Sequence, residues 1–185
     1  MGIVAIEMLD KPGDKAKMAV PDVLKLVKTF KPTATTKPFQ WDRVGRAIPA
    51  LNKMGIEPKG YVPVLVHIIK EPRLRPNTKN RPLPYRPEDR WGQLAVQAIR
   101  ALERIGPEAK DAVPVLIKYV APQDPKSPQR ADLGPITPSS LRALGAIGPD
   151  AAEALPTIRA YRATLIPGSP PDVEVEKVIV KIKGE

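Results

Sequence analysis

Apolar residues recur along the chain at helical spacing, and the runs break at similar places. In "ALERIGPEAKDAVPVLIKYV", Ala101 to Val120, one apolar run stops at a Gly-Pro and another restarts around a second proline. Leu94, Ala98, Leu102 and Ile105 lie on one face of a helix, and Leu141, Leu144 and Ile147 do the same later on. A second helix is predicted through Val113, Leu116, Ile117 and Val120. Between the two comes a glycine, where a left-handed residue ends a helix without a Cβ clash. Pro107 and Pro149 then bar continuation. If Asp111 is the N-cap, Pro114 sits in the first turn, where no intrahelical N–H bond is lost. If the helix starts near Glu108, Pro114 kinks it. A short turn from Pro107, with the main helix starting near Asp111, is the favoured reading.

This unit occurs four times. The copies read "LDKPGDKAKMAVPDVLKLV" from Leu9, "LNKMGIEPKGYVPVLVHII" from Leu51, "LERIGPEAKDAVPVLIKYV" from Leu102 and "LGAIGPDAAEALPTIRAYR" from Leu144. They align without gaps on Pro21, Pro63, Pro114 and Pro156, at separations of 42, 51 and 42 residues. The glycine repeats as Gly13, Gly55, Gly106 and Gly148. A helix pair of this size cannot bury its apolar stripe alone, so neighbouring pairs must stack. The "IGPEAKDAVPVLI" segment resembles the bacterial HEAT-like repeats also found in phycobilin lyases. The resemblance covers all four units, most closely the last two. It implies an all-α, right-handed solenoid of helix pairs, and it brings no catalytic residues with it. The expected organisation is four repeats within 1–166, at about 1–30, 42–70, 90–120 and 139–165. A linker and a C-terminal strand follow at 167–185.

The strand is expected because "GSPPDVEVEKVIVKIKGE" alternates Val173 and Val175, then Val178, Val180 and Ile182, with a phase change near Lys177. A lone strand needs a partner edge, which makes Val178, Val180 and Ile182 candidate partner-binding residues. In the first copy, Ile3, Val4, Ile6, Met8 and Leu9 are apolar for a terminal repeat, which points to a partner or to self-association.

Composition narrows the chemistry. The 185 residues are 42% hydrophobic but only 4% aromatic, so the core must be aliphatic. With no cysteine and one histidine, thiolate chemistry, zinc-thiolate sites and histidine clusters are excluded. No phosphate-binding glycine loop, calcium loop or nucleophile motif is present. The expectation is therefore a protein that is not an enzyme and takes no cofactor or metal. His67, between Val66 and Ile68, reads as a core-edge or surface residue. "MGIVAIEMLD" has neither a basic n-region nor a long apolar run, and Ile6 stands where a myristoylation signal has Ser or Thr. No apolar run is long enough to span a bilayer, and a cytoplasmic location is expected.

The net charge of +10 favours acidic partners. The segments Lys31–Gly45, Glu71–Arg90 and Ala121–Ser139 are long and rich in proline, beyond ordinary helix connections. The middle one holds Arg73, Arg75, Lys79, Arg81 and Arg86, with Tyr85 inside it and Trp91 just after. Arginine and aromatic residues together are typical interface anchors. They also suit phosphate contact and base stacking. In the second case they would share a face with Lys11, Lys15 and Lys17. Trp41 and Trp91 each precede a first helix and are expected to cover the core edge against the preceding unit. The reading from sequence is a protein-binding scaffold or accessory subunit with an acidic protein partner; non-specific nucleic-acid binding is the alternative, and a lyase-type enzyme a distant third.

Overall fold

The computed structural model describes residues 14–30, 44–49, 51, 58–70, 87–122 and 135–185. Every element among the described residues is helical, consistent with an all-α fold. The helices are α1 (Asp14–Thr29), α2 (Pro58–Lys70), α3 (Pro87–Ile105), α4 (Val113–Val120), α5 (Ile136–Ile147), α6 (Leu155–Arg162) and α7 (Pro170–Lys183). Two 3-10 segments, Gly106–Ala112 and Gly148–Ala154, precede α4 and α6. A further helical stretch covers 44–49 and 51. No described helix is long and apolar enough to cross a membrane. The chain divides into two compact units, Met1–Ala101 and Leu102–Glu185.

In the first unit, α1 packs on α2 through buried Val23 and Val27 on one side and Val62, Leu65 and Ile69 on the other. Pro21 and Pro63 lie inside these helices, not at their starts. Each lacks an N–H, so each removes one backbone bond from its helix. Both prolines are exposed. Trp91 is buried, and its indole N–H donates to the Ile68 carbonyl at 3.3 Å. It therefore covers the end of the preceding helix, as expected, but from within the first turns of α3 and not from before it.

In the second unit the repeated module is resolved twice. α3 ends at Ile105 and α5 at Ile147, and each is followed by a glycine with positive φ: Gly106 at 71° and Gly148 at 73°. At Gly148 ψ is −139°, which is the mirror-extended region and not the left-handed helical one predicted for the stop. That region is open almost only to glycine. The backbone leaves the helix abruptly and begins the 3-10 segment, whose buried faces are Ala109 and Ala112 in one copy and Ala151 and Ala154 in the other. The α-helix proper starts at Val113 and at Leu155, one residue later than an Asp111 cap and its counterpart in the fourth copy predict. Pro114 and Pro156 are thus the second residues of α4 and α6. No intrahelical N–H bond is lost there.

Helix α5 is the centre of this unit. It packs against α4 and the first 3-10 segment, and also against α7. Ile136, Leu141, Leu144 and Ile147 are buried, but so are the small Ser139, Ser140, Ala143 and Gly145. The Thr137 hydroxyl donates to the Tyr119 carbonyl at 2.8 Å, giving one of the last carbonyls of α4 a partner. On the other side, a Cβ built on Gly145 would lie 3.4 Å from a methyl of Val178, so α5 and α7 are in close contact at this point.

The tail is where the sequence-based expectation fails: 170–183 is a helix, not a strand. Its buried residues, Val175, Val178, Ile179 and Ile182, follow the i, i+3, i+4, i+7 spacing of a helix face. The apparent phase change near Lys177 is the crossing from one turn to the next. The ends carry helix signals as well. Pro170 and Pro171 open it, Asp172 lies in the first turn, and Lys181 and Lys183 lie in the last. Gly184 closes it in the left-handed conformation, with φ 76° and ψ 27°. Its N–H donates to Lys181 O and that of Glu185 to Val180 O, both at 3.2 Å, which is a Schellman pattern. Valine has modest helix propensity, and burial against α5 overrides it.

Helix α7 also sits where a further repeat would. A Cβ on Gly106 would come 3.6 Å from Ala146 O, and one on Gly148 would come 3.9 Å from Lys181 O. α7 therefore lies beside the fourth copy much as α5 lies beside the third. The backbone at Gly148 yields a prediction. Gly148→Ala lowers the unfolding free energy by about 1–3 kcal/mol, because alanine is strained at this dihedral pair. Gly92→Ala, in the open on helix α3, raises it by about 0.5–1 kcal/mol. Urea unfolding of the two variants, read by circular dichroism, checks both signs.

Candidate functional site

Among the residues singled out by sequence for partner binding, Arg73, Arg75, Lys79, Arg81, Tyr85 and Arg86 lie outside the described residues. So do Gly13, Gly55, Trp41, Lys11 and the apolar N-terminal positions. Trp91 is a core residue with its N–H satisfied within the first unit. Val178 and Ile182 are buried in the second unit and Val180 is half-buried, so they form no free strand edge. The strand edge on which these three were expected to bind a partner is thus corrected to a helix, and packing within the unit buries Val178 and Ile182.

The described residues instead form an open cleft between α6 and α7, holding about 520 Å³. Its residues come from the last turn of α6, the connection after it and one face of α7. The connection is shaped by Gly168, with φ 73°, and by the rigid pair Pro170-Pro171. This turn brings Arg162 against α7. Its Nε–H donates to Asp172 Oδ1 at 2.7 Å, and an Nη1–H donates to Glu176 Oε2. Asp172 also accepts the backbone N–H of Gly168 on Oδ2 at 2.9 Å. The carboxylate is buried, and both of its oxygens are occupied.

The electrostatics follow from these bonds. The hydrogen bond from Arg162, then the one from Gly168, holds the Asp172 carboxyl below its ordinary range, against the opposing effect of burial. The Arg162 guanidinium is held above its ordinary value, chiefly by its hydrogen bond to Asp172. Arg162 is therefore a tie between helices, with its donors directed to two carboxylates. Arg159, one turn back on α6, is exposed and makes no ion pair among the described residues. Lys183 reaches only Glu185, at 3.5 Å. Leu165, Pro167 and Ile179 give the cleft apolar walls. Ile166, in the connection, is 77% exposed and Val173, on α7, is 45% exposed.

None of these positions stood out in the sequence. Arg162 and Asp172 are ten residues apart, with "ATLIPGSPP" between them. The available signal was the Gly-Ser-Pro-Pro-Asp helix start, which places an acid in a first turn after a forced bend. Elsewhere, His67 Nε2, Gln97 Oε1 and Ser140 Oγ are buried without a hydrogen-bond partner among the described residues. Tyr119 is pushed up to about 12 by burial, so its hydroxyl stays protonated. No group of three His, Asp or Glu side chains is arranged to hold a metal among the described residues.

No family model matches the chain, and no curated protein does. Among solved structures, the crystal structure of an engineered protein matches it with a TM-score of 0.53 at 18% identity. The match covers 98% of this chain and 71% of that one. At that identity the likeness is one of fold.

The Arg162 tie predicts a pH signature. Because folding lowers the Asp172 pKa, its stabilising contribution is complete above the unfolded value of about 3.9 and fades as pH falls through the lower folded value. Thermal unfolding of the wild-type chain from pH 6 down to pH 2.5 should lose more stability than that of Asp172→Asn. The difference between the two narrows towards the acid end. Parallel curves for the two proteins would contradict this.

Proposed function

We propose that this chain is a non-catalytic protein-interaction scaffold, or an accessory subunit of a larger assembly, built as a solenoid of HEAT-like helix pairs. The recurrence of one module carries the reading. A first helix, a positive-φ glycine, a buried 3-10 segment and a second helix follow in the same order in the third and fourth copies. In stacked repeats each unit completes its neighbour's core, and the outer surface and connections are left to make contacts. Helix α7 suits the end of such a stack, since Glu174, Lys177 and Lys181 are exposed on it, as a terminal cap requires. The cleft adds a surface with the mixture found at binding sites, apolar walls with charged groups at the rim. The net charge of +10 directs the chain toward acidic partners.

Capture of tagged full-length protein from its native lysate, after nuclease treatment and at low and high salt, tests the reading. One or a few proteins recovered in fixed ratio under all conditions is the expected result. Material released by nuclease, or lost steeply with salt, would replace the scaffold by phosphate-contact binding to nucleic acid, whose salt dependence is its signature.

A further inference from the structure

We propose that the exposed faces of helices α1 and α2, which pack on each other, bind the phosphate backbone of a nucleic-acid duplex without reading its sequence. This activity is additional to the scaffold role. The charge of the chain is unevenly divided. Residues 1–101 hold 19 of the 30 Lys and Arg and 9 of the 20 Asp and Glu. The whole net charge of +10 therefore belongs to the first unit, Met1–Ala101, and the second unit is neutral. Within the first unit, α1 has Lys15, Lys17, Lys25 and Lys28 against Asp14 and Asp22, and α2 has Lys59 and Lys70 with no acid.

The cations stand at fixed places in the repeat. Four residues before and after the aligned proline come Lys17 and Lys25 in the first copy, Lys59 and His67 in the second, and Lys110 and Lys118 in the third. In α1 and α2 these positions share a helix face with the proline. Pro21, Lys25 and Pro63 are exposed and His67 is half-buried. Lys70, seven residues after Pro63, continues the stripe and is exposed. Of the described α2 side chains, only Pro63, His67 and Lys70 reach solvent. The fourth copy has Ala152 and Ala160 around Pro156, all three exposed. The module therefore folds without these cations, and its core does not require them.

The rest of the face selects the ligand. Large exposed apolar side chains among the described residues occur only in the second unit, at Ile166 and Val173. A protein interface is built round apolar or aromatic anchors, and the described residues of this face expose none. Phosphate contacts need positive charge alone, which lysine supplies as a point charge. A single strand calls for aromatic rings to stack its bases. A duplex keeps its bases stacked and turns its phosphates outward, so a lysine stripe suffices.

The experiment is fluorescence anisotropy of a short labelled DNA duplex titrated with the full-length chain over a range of salt. Duplexes of unrelated sequence are expected to bind alike, with log K falling linearly as log salt rises. Lys25→Gln with Lys70→Gln removes two contacts. It should weaken binding tenfold or more at about 100 mM salt and make the slope shallower by about 2. Lys177→Gln with Lys181→Gln makes the same change of charge on exposed residues of the second unit and should keep the wild-type slope. All four side chains are exposed, so thermal unfolding of both variants should match the wild-type chain.

No duplex binding, a slope unchanged by Lys25→Gln/Lys70→Gln, or an equal loss in the two variants would each overturn the proposal. So would oligouridine or polyglutamate binding more tightly than the duplex, which would reassign the face to a single strand or to an acidic protein. The titration needs no partner protein, so its outcome is separate from that of lysate capture, which decides the scaffold.

Discussion

Helix α5 has to be covered on two sides, and much of the C-terminal unit follows from that need. A helix with one apolar stripe can be satisfied by one neighbour. α5 is apolar or small nearly all round, with Ser139, Ser140, Ala143 and Gly145 buried beside its larger residues. Helix α4 and its 3-10 segment take one side, and α7 takes the other. Gly145 faces α7, and the Val178 methyls stand at ordinary van der Waals distance from the position of a Cβ, so there is room for a methyl and none for a bulkier side chain. The tail helix is thus a requirement of the core. Without it, the Gly145 flank of α5 would lose its cover.

The same constraint explains the junction between the paired helices. The second helix must turn back without leaving a gap at the corner. A glycine outside the range of other residues makes the turn abrupt, and the 3-10 segment that follows keeps the chain close enough to bury alanines. Larger side chains at Ala109, Ala112, Ala151 or Ala154 would not fit such a corner. The proline two residues into each following helix restricts φ where no hydrogen bond is lost. In the first two copies the equivalent proline falls inside a longer helix, at Pro21 and Pro63, so the same sequence position carries a different local structure. The aligned proline marks the exposed face of the second helix in all four copies, and it marks the helix start in only two.

Periodicity made the paired helices legible. Leu94, Ala98 and Leu102, then Leu141, Leu144 and Ile147, occupy the buried faces that their spacing predicts. The tail was misread because valine at alternate positions satisfies both templates over a short run. A strand takes Val173, Val175, then Val178 and Val180, whereas a helix takes Val175, Val178, Ile179 and Ile182. Only the second set accounts for the burial of Ile179, and only the second explains the prolines before it and Gly184 after it. End signals, rather than β-branched content, carried the information. The cleft was illegible for a different reason. Its geometry comes from a tertiary turn that sets Arg162 against Asp172 and Glu176, and no local pattern encodes which carboxylate a given arginine will meet.

The Arg162 tie gives the cleft its particular character. A guanidinium facing a single carboxylate would keep free donors and compete for any incoming acid. Facing two, it spends two of its five N–H donors on α7 and becomes part of the frame. Its two bonds join the last turn of α6 to the first turns of α7, and the Gly168 N–H on the same Asp172 carboxylate fixes the turn between them. The connection is therefore set by one buried acid as well as by apolar packing.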